Sequence, residues 1–174
     1  MPSSVPWIRR SAPSSPYREG MTGYLASFEP AMRLAIAEAE MAAAAGEVPV
    51  GAIVLGPDGS VLGQGRNQRE GAADPTAHAE VVALQAAGRA RANWRLDGCT
   101  LVVTLEPCTM CAGAALVGRV SRLIFGAHDP RSGAAGSVWD VLHDPRLGPL
   151  VEVRGGVLSA ECAALLSDFF EDRR

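Results

Sequence analysis

Four side chains have types and spacings that could do chemistry together. They are His78 and Glu80 in "DPTAHAEVVA", and Cys108 and Cys111 in "LEPCTMCAGA". A Cys-x-x-Cys pair alone is ambiguous: it serves as a redox couple, as half of a structural zinc site or as part of a catalytic one. The metal readings need a third ligand, and histidine is scarce, with only His78, His128 and His143 present. One imidazole nitrogen and two sulfurs suit Zn²⁺, and three protein ligands leave one tetrahedral position for water. Glu80, two residues past His78, is directed differently and could carry a proton to and from that water. A disulfide couple would leave both His78 and Glu80 without a task.

These groups must be brought together by the elements around them. "FEPAMRLAIAEAEMAAAAG" is Ala-rich, with Met32, Ile36 and Met41 marking one face and Gly46 as a stop. "VPVGAIVLGPDGSVLGQGRN" predicts a β-hairpin about a Pro57-Asp58-Gly59 turn. A helix follows, with Asp74 or Thr76 near its cap and His78 about a turn into it. "CTLVVTL" is an apolar run suited to a buried parallel strand, and the next helix starts near Pro107 with both cysteines in its first turn. "VSRLIFGA" predicts a strand, residues 128–137 a polar Gly-rich loop, and Val138 to His143 a short helical piece. A strand near Val151 to Arg154 and a last helix from Ser159 complete the chain. Helices alternating with strands predict an α/β fold with a mixed, mostly parallel sheet covered on both faces. Neighbouring parallel strands would deliver the two helix starts, and so His78, Cys108 and Cys111, to one sheet edge.

Composition narrows the function classes. The 174 residues suffice for one domain with a sizeable core. No apolar run approaches the roughly 18 residues needed to span a bilayer. The N-terminus carries no secretory-type apolar segment, so a cytoplasmic location is expected. All 16 basic residues are arginine, which removes lysine Schiff-base chemistry and the phosphate-loop lysine. A net charge of −3 argues against broad, nonspecific nucleic-acid binding, although a local basic patch is compatible with it. Residues 1–24, rich in Pro, Ser and Gly, read as a disordered extension, with Met21 a candidate alternative start; the domain is expected over 25–174. Cys99 and Cys162 read as small buried apolar residues, and His143 has no assignable role.

His-x-Glu followed by Pro-Cys-x-x-Cys resembles the signature of the zinc-dependent nucleoside deaminases. From about Phe28 to Arg174 the chain further resembles the bacterial tRNA-specific adenosine deaminases of the cytidine/deoxycytidylate deaminase superfamily. The blocks that carry this are "EVPVGA", "GRN", "DPTAHAE", "TLEPCTMCAGA", "FGAHDPRSGAAGS" and "ECAALLSDFF". The last two are the discriminating ones. The resemblance implies a three-layer α-β-α cytidine-deaminase-like fold with a central mixed five-stranded sheet. It implies one Zn²⁺ per subunit on His78, Cys108 and Cys111, with Glu80 as proton shuttle. The activity implied is hydrolytic conversion of adenosine to inosine at the wobble position of a tRNA anticodon, mainly an arginine tRNA, by a homodimer. By motif it implies that Asn67 hydrogen-bonds the purine, that the Ala79 backbone N–H faces the base, and that Asp129 lies near the preceding nucleotide. Phe169, Phe170 and Arg173 match the tail that packs on the anticodon loop. The loop residues His128, Pro130, Arg131 and Ser132, and the acidic Glu171-Asp172, depart from the family pattern.

From the residues alone, other readings stay open. Phe169 and Phe170 suit a core as well as a base platform. Asn67 could cap a turn, and Asp129 could stabilise its loop. The competing functions are a zinc deaminase of a free base or nucleoside, such as guanine or cytidine, a noncatalytic zinc-dependent RNA-binding protein, and a thiol redox protein.

Overall fold

The computed structural model describes residues 23–171 and residue 173. Along the chain run α1 (Glu29–Ala44), β1 (Gly51–Leu55), β2 (Val61–Arg66), the short α2 (Arg69–Ala72), α3 (Ala79–Arg91), β3 (Thr100–Leu105) and α4 (Thr109–Val117). β4 (Arg122–Ala127), β5 (Glu152–Gly155) and α5 (Ser159–Glu171) follow. The five strands form one sheet in the order β2-β1-β3-β4-β5. β1 is antiparallel to both β2 and β3, whereas β3–β4 and β4–β5 are parallel. The sheet is therefore mixed, as expected, but evenly so rather than mostly parallel, because β1 runs against both its neighbours.

Side chains alternate across a strand, and this divides the core into two layers. Ala52, Val54, Leu101, Val103, Leu123 and Phe125 face α3 and α4, whereas Ile53, Val102 and Ile124 face α1 and α5. Each layer is a continuous apolar cluster, which gives the three-layer α-β-α arrangement. Cys99 joins the first cluster and Cys162 the second, so both are buried small residues as expected.

The face that α1 buries is Ala31, Met32, Ala35, Ala39 and Ala42, at helical spacing. Met41, expected on this face, is exposed. The small residues matter because α1 lies so close to β1 that a side chain on Gly51 would collide with the backbone at Ala35 and Ala39. The hairpin turn forms as expected: Gly59 adopts φ +81°, and Asp58 Oδ1 accepts the Ser60 N–H at 3.0 Å.

Two expectations need correction or bounding. Val138 to His143 is not helical. The N–H groups of Val138 and Trp139 donate back to the Gly133 carbonyl, and that of Val141 to the Ala134 carbonyl, so they are unavailable to a helix ladder. The expected extension, residues 1–24, lies outside the described residues except for Gly23 and Tyr24. Tyr24 packs edge-on against Phe28 with ring centroids 5.3 Å apart, and its hydroxyl donates to Glu152.

Candidate metal centre and active site

The site is assembled by strand direction. β1 is antiparallel to both β2 and β3, so β2 and β3 point the same way although they are not adjacent. The helices that follow them, α3 and α4, therefore start at the same sheet edge. Sequence reasoning anticipated this convergence but assigned it to neighbouring strands. Glycine sets the depth at which α3 sits. A Cβ on Gly65 would overlap the Ala79 carbonyl and approach Ala83 N to 2.5 Å, so only glycine lets the start of α3 rest on β2.

His78 is not a turn inside its helix. It is the N-cap of α3, with extended backbone (φ −72°, ψ 151°), and Cys108 holds the same place on α4 (φ −72°, ψ 174°). Helix N-caps usually carry Ser, Thr, Asn or Asp, whose side chains satisfy the free amides. Neither His78 nor Cys108 makes such a bond. Both turn their side chains toward each other, and two helix N-termini with their positive partial charge converge on the cluster. Cys111, in the first turn of α4, is fully buried on the same side. Its Sγ lies 3.5 Å from His78 Nδ1, and Cys108 Sγ lies 3.8 Å from the same nitrogen.

These three ligand atoms lie within 4.8 Å of one another. Zinc–sulfur bonds of about 2.3 Å and zinc–nitrogen bonds of about 2.0 Å place tetrahedral ligand atoms roughly 3.5–3.8 Å apart. The donor types and their spacing therefore fit zinc. All four cysteines are free thiols. Without metal the trio shares its protons. Hydrogen bonding from Cys111, with help from His78 and against burial, brings the Cys108 thiol down to about 4. The thiol of Cys111 is pushed up because it donates to Cys108 and is buried. His78 is raised, chiefly by its hydrogen bond to Cys108.

Glu80 lies one residue inside α3 and is 4% exposed. Burial pushes its carboxyl up, so it binds a proton more readily than an exposed glutamate. A cleft of about 530 Å³, mouth included, joins Glu80, His78 and Cys108 to Ala79, Asn67 and Asp129. Asn67 is buried and donates to Glu47, so it does not serve as a turn cap. Asp129 does two things: it lines the cleft, and its Oδ1 accepts the N–H groups of Arg131 at 2.9 Å and Ser132 at 3.3 Å.

The C-terminal candidates divide. Phe170 and Arg173 line a second, more open cleft with Arg131 and Leu166; it shares Val48, Leu105, Asp129 and Ser132 with the first. Phe169 lines neither cleft. It is half-buried, edge-on to Phe170, and carries the Arg173 guanidinium 3.6 Å above its ring.

Two acids were missed from sequence. Glu106 is 2% exposed and accepts the N–H groups of Asp129, Ala135 and Ser137 as well as the Ser137 hydroxyl. Burial alone would raise its pKa, but these donors outweigh burial and hold it low. Its signal was available: an acid directly after a buried strand and directly before Pro107-Cys108. The other is Glu47, buried beside Asn67, with no sequence cue beyond its place after a helix stop.

Residues 26–127 match the family described as the cytidine and deoxycytidylate deaminase zinc-binding region. A tRNA-specific adenosine deaminase of Haemophilus influenzae is 47% identical over 84% of this chain and 84% of its own length. The Bacillus subtilis protein of the same name is 43% identical over 82% and 88%. A Deinococcus deserti protein named tRNA(Ile)-lysidine synthase is 49% identical, but the chain spans only 27% of its length. A solved structure described in work on A-to-I editing by tRNA:A34 deaminases superposes with a TM-score of 0.75 and 40% identity, over 78% of this chain and 97% of that one. A guanine deaminase from Nitrosomonas europaea superposes at 0.70 with 26% identity, over 81% and 83%. The convergent His78–Cys108–Cys111 trio with Glu80 is thus found in a chain that belongs to the cytidine and deoxycytidylate deaminase zinc-binding family and, within it, to the tRNA-specific adenosine deaminases.

Proposed function

We propose that this protein hydrolyses adenosine to inosine at the wobble position of a tRNA anticodon, an arginine tRNA foremost. The observation that carries the reading is the wall that two clefts share. The one lined by His78, Cys108 and Glu80 shares Val48, Leu105, Asp129 and Ser132 with one that Arg131, Phe170 and Arg173 also line. A free base needs a closed pocket, whereas a nucleotide within a loop needs an open path for the strand on either side. Single-stranded loops are bound by stacking and by Arg contacts, and an unpaired base costs less to extrude.

Zinc held by His78, Cys108 and Cys111 supplies a Lewis acid that makes water nucleophilic near neutral pH. The chain's own residues do the rest. Glu80 takes a proton from water and gives it to N1 of adenine as oxygen bonds to C6. It then moves the remaining hydroxyl proton to the amine, which leaves as ammonia. Asn67 holds the purine edge, and the Ala79 N–H, at the free start of α3, faces the reacting group. Asp129 contacts the preceding nucleotide, while Phe170 stacks on a loop base. Arg173, steadied by Phe169 and by its bond to the Gly46 carbonyl, meets the backbone.

The protein acts as a homodimer in the cytoplasm, where tRNA and reduced thiols coexist. Trp94, Met110 and Val117, exposed about α3 and α4, support pairing of two copies. Sedimentation at micromolar concentration reads the dimer directly. No described helix is long and apolar enough to cross a membrane.

The deciding experiment incubates the zinc-loaded protein with an anticodon stem-loop and, separately, with free adenosine, cytidine and guanine. Inosine in the stem-loop, lost by a factor of about 10² to 10⁴ in Glu80→Gln, is expected. Deamination of a free compound but not of the stem-loop overturns the reading. Inosine mapping on total tRNA then identifies the tRNA.

A further inference from the structure

Asn67 has a feature that its place in the cleft does not explain. Its side-chain nitrogen donates at 3.3 Å to Oε2 of Glu47, and the other oxygen of that carboxylate accepts the Gly71 N–H at 2.8 Å. Glu47 is 4% exposed and Asn67 7%. Neither bond is local, since Glu47 follows α1, Asn67 follows β2 and Gly71 lies in α2. A buried carboxylate is retained only when it is well satisfied, so the arrangement raises the question of what it does for the site.

We infer that Glu47 is a positioning residue that fixes which way round Asn67 presents its amide to the nucleobase. A carboxamide is nearly symmetric in shape, but one end donates and the other accepts. Left alone, it could rotate half a turn and offer the wrong end. A carboxylate only accepts, so the NH₂ end of Asn67 is committed to the Glu47 side. One N–H and the carbonyl oxygen remain for the substrate, at set positions. Gly71 anchors the carboxylate itself, and the Asn67 N–H donates to the Val50 carbonyl at 3.0 Å. Both ends of the pair are therefore held by backbone. Reading a base edge with a fixed donor and acceptor discriminates more strongly than shape alone, because the wrong partner leaves buried polar groups unpaired. The inference rests on the proposal that Asn67 contacts the purine.

The test is a double-mutant cycle on the zinc-loaded dimer or monomer as it exists in solution. Glu47→Gln keeps the size; with its amide oxygen on the Gly71 N–H, its NH₂ end faces Asn67 and favours the reversed amide. In the parent, this change is expected to lower kcat/KM on the stem-loop about 10- to 100-fold, with zinc content unchanged. In the Asn67→Ala background it is expected to change kcat/KM less than 2-fold. Equal losses in both backgrounds, or no loss in the parent, overturn the inference. Glu47→Asp, one methylene shorter, gives the same reading if the glutamine variant does not fold. A second readout needs no activity. The Asn67 side-chain N–H that meets Glu47 is expected to be protected from hydrogen exchange in the parent and at least 10-fold less so in either variant. Unchanged protection sinks the inference even if the parent deaminates nothing; inactivity with the expected protection change would instead fault the proposed reaction.

Discussion

The backbone N–H of Asp129 donates to the buried carboxylate of Glu106 at 3.1 Å, two residues before Cys108 on the chain. One carboxylate thus ties the cleft-lining loop to the start of the helix that carries the cysteines. Gly133 lets the loop close over it, since a Cβ there would sit 2.5 Å from the Glu106 carboxyl carbon. Charge-assisted bonds of this kind are worth about 1.5–3 kcal/mol each when their loss leaves donors unpaired. Glu106→Ala is expected to cost at least about 3 kcal/mol in urea unfolding and to raise KM for the stem-loop. A variant of parental stability and KM would show that the loop needs no such anchor.

Asp129 gives the loop a defined acid limit. Burial would raise its pKa, but the Ser132 hydroxyl and the N–H groups of Arg131 and Ser132 hold it below the ordinary 3.8. A carboxyl lowered on folding stabilises the loop above its unfolded pKa and loses that contribution as pH falls through the lowered value. The Arg131 and Ser132 amide signals should shift with a midpoint below the ordinary 3.8. Movement centred near pH 5 or 6 would contradict this.

Metal removal should expose an unusual thiol. In zinc-stripped protein, Cys108, brought down to about 4, is ionised at pH 6. An alkylating reagent at that pH should label it, whereas Cys111, Cys99 and Cys162 resist, and zinc should protect it. Peptide mass mapping identifies the site. Labelling of Cys111 first would reverse the assigned sharing of the proton.

Gly65→Ala tests how α3 is seated. The added methyl meets the Ala79 backbone, not a flexible side chain. Overpacking of this kind costs about 1–3 kcal/mol, and the displaced start of α3 should weaken zinc retention against a chelator. A Gly65→Ala protein with parental metal affinity would mean that the helix start does not depend on that contact.

The candidate metal ligands were legible because they are carried by residue type and short spacing. His78 with Glu80, and Cys108 with Cys111, stand out as two short motifs whose ligand atoms converge, and the runs "GAIVL", "TLVVTL" and "RLIFGA" formed strands because β-branched and other apolar residues suit buried positions. Boundaries were less legible. His78 and Cys108 sit at N-cap positions without a side-chain cap bond, a placement that no local pattern signals.

What the sequence determined by itself was the set of reactive groups and the alternation that layers helices on a sheet, since both depend on neighbours in the chain. Only the tertiary structure decided that β1 runs between the two strands feeding the site, that Glu106 organises the loop and that Glu47 faces Asn67. Those facts turn on burial and on which donors remain unpaired. The partners that satisfy them lie 20 residues apart for Glu47 and Asn67, and 31 for Glu106 and Ser137, beyond the reach of any local pattern.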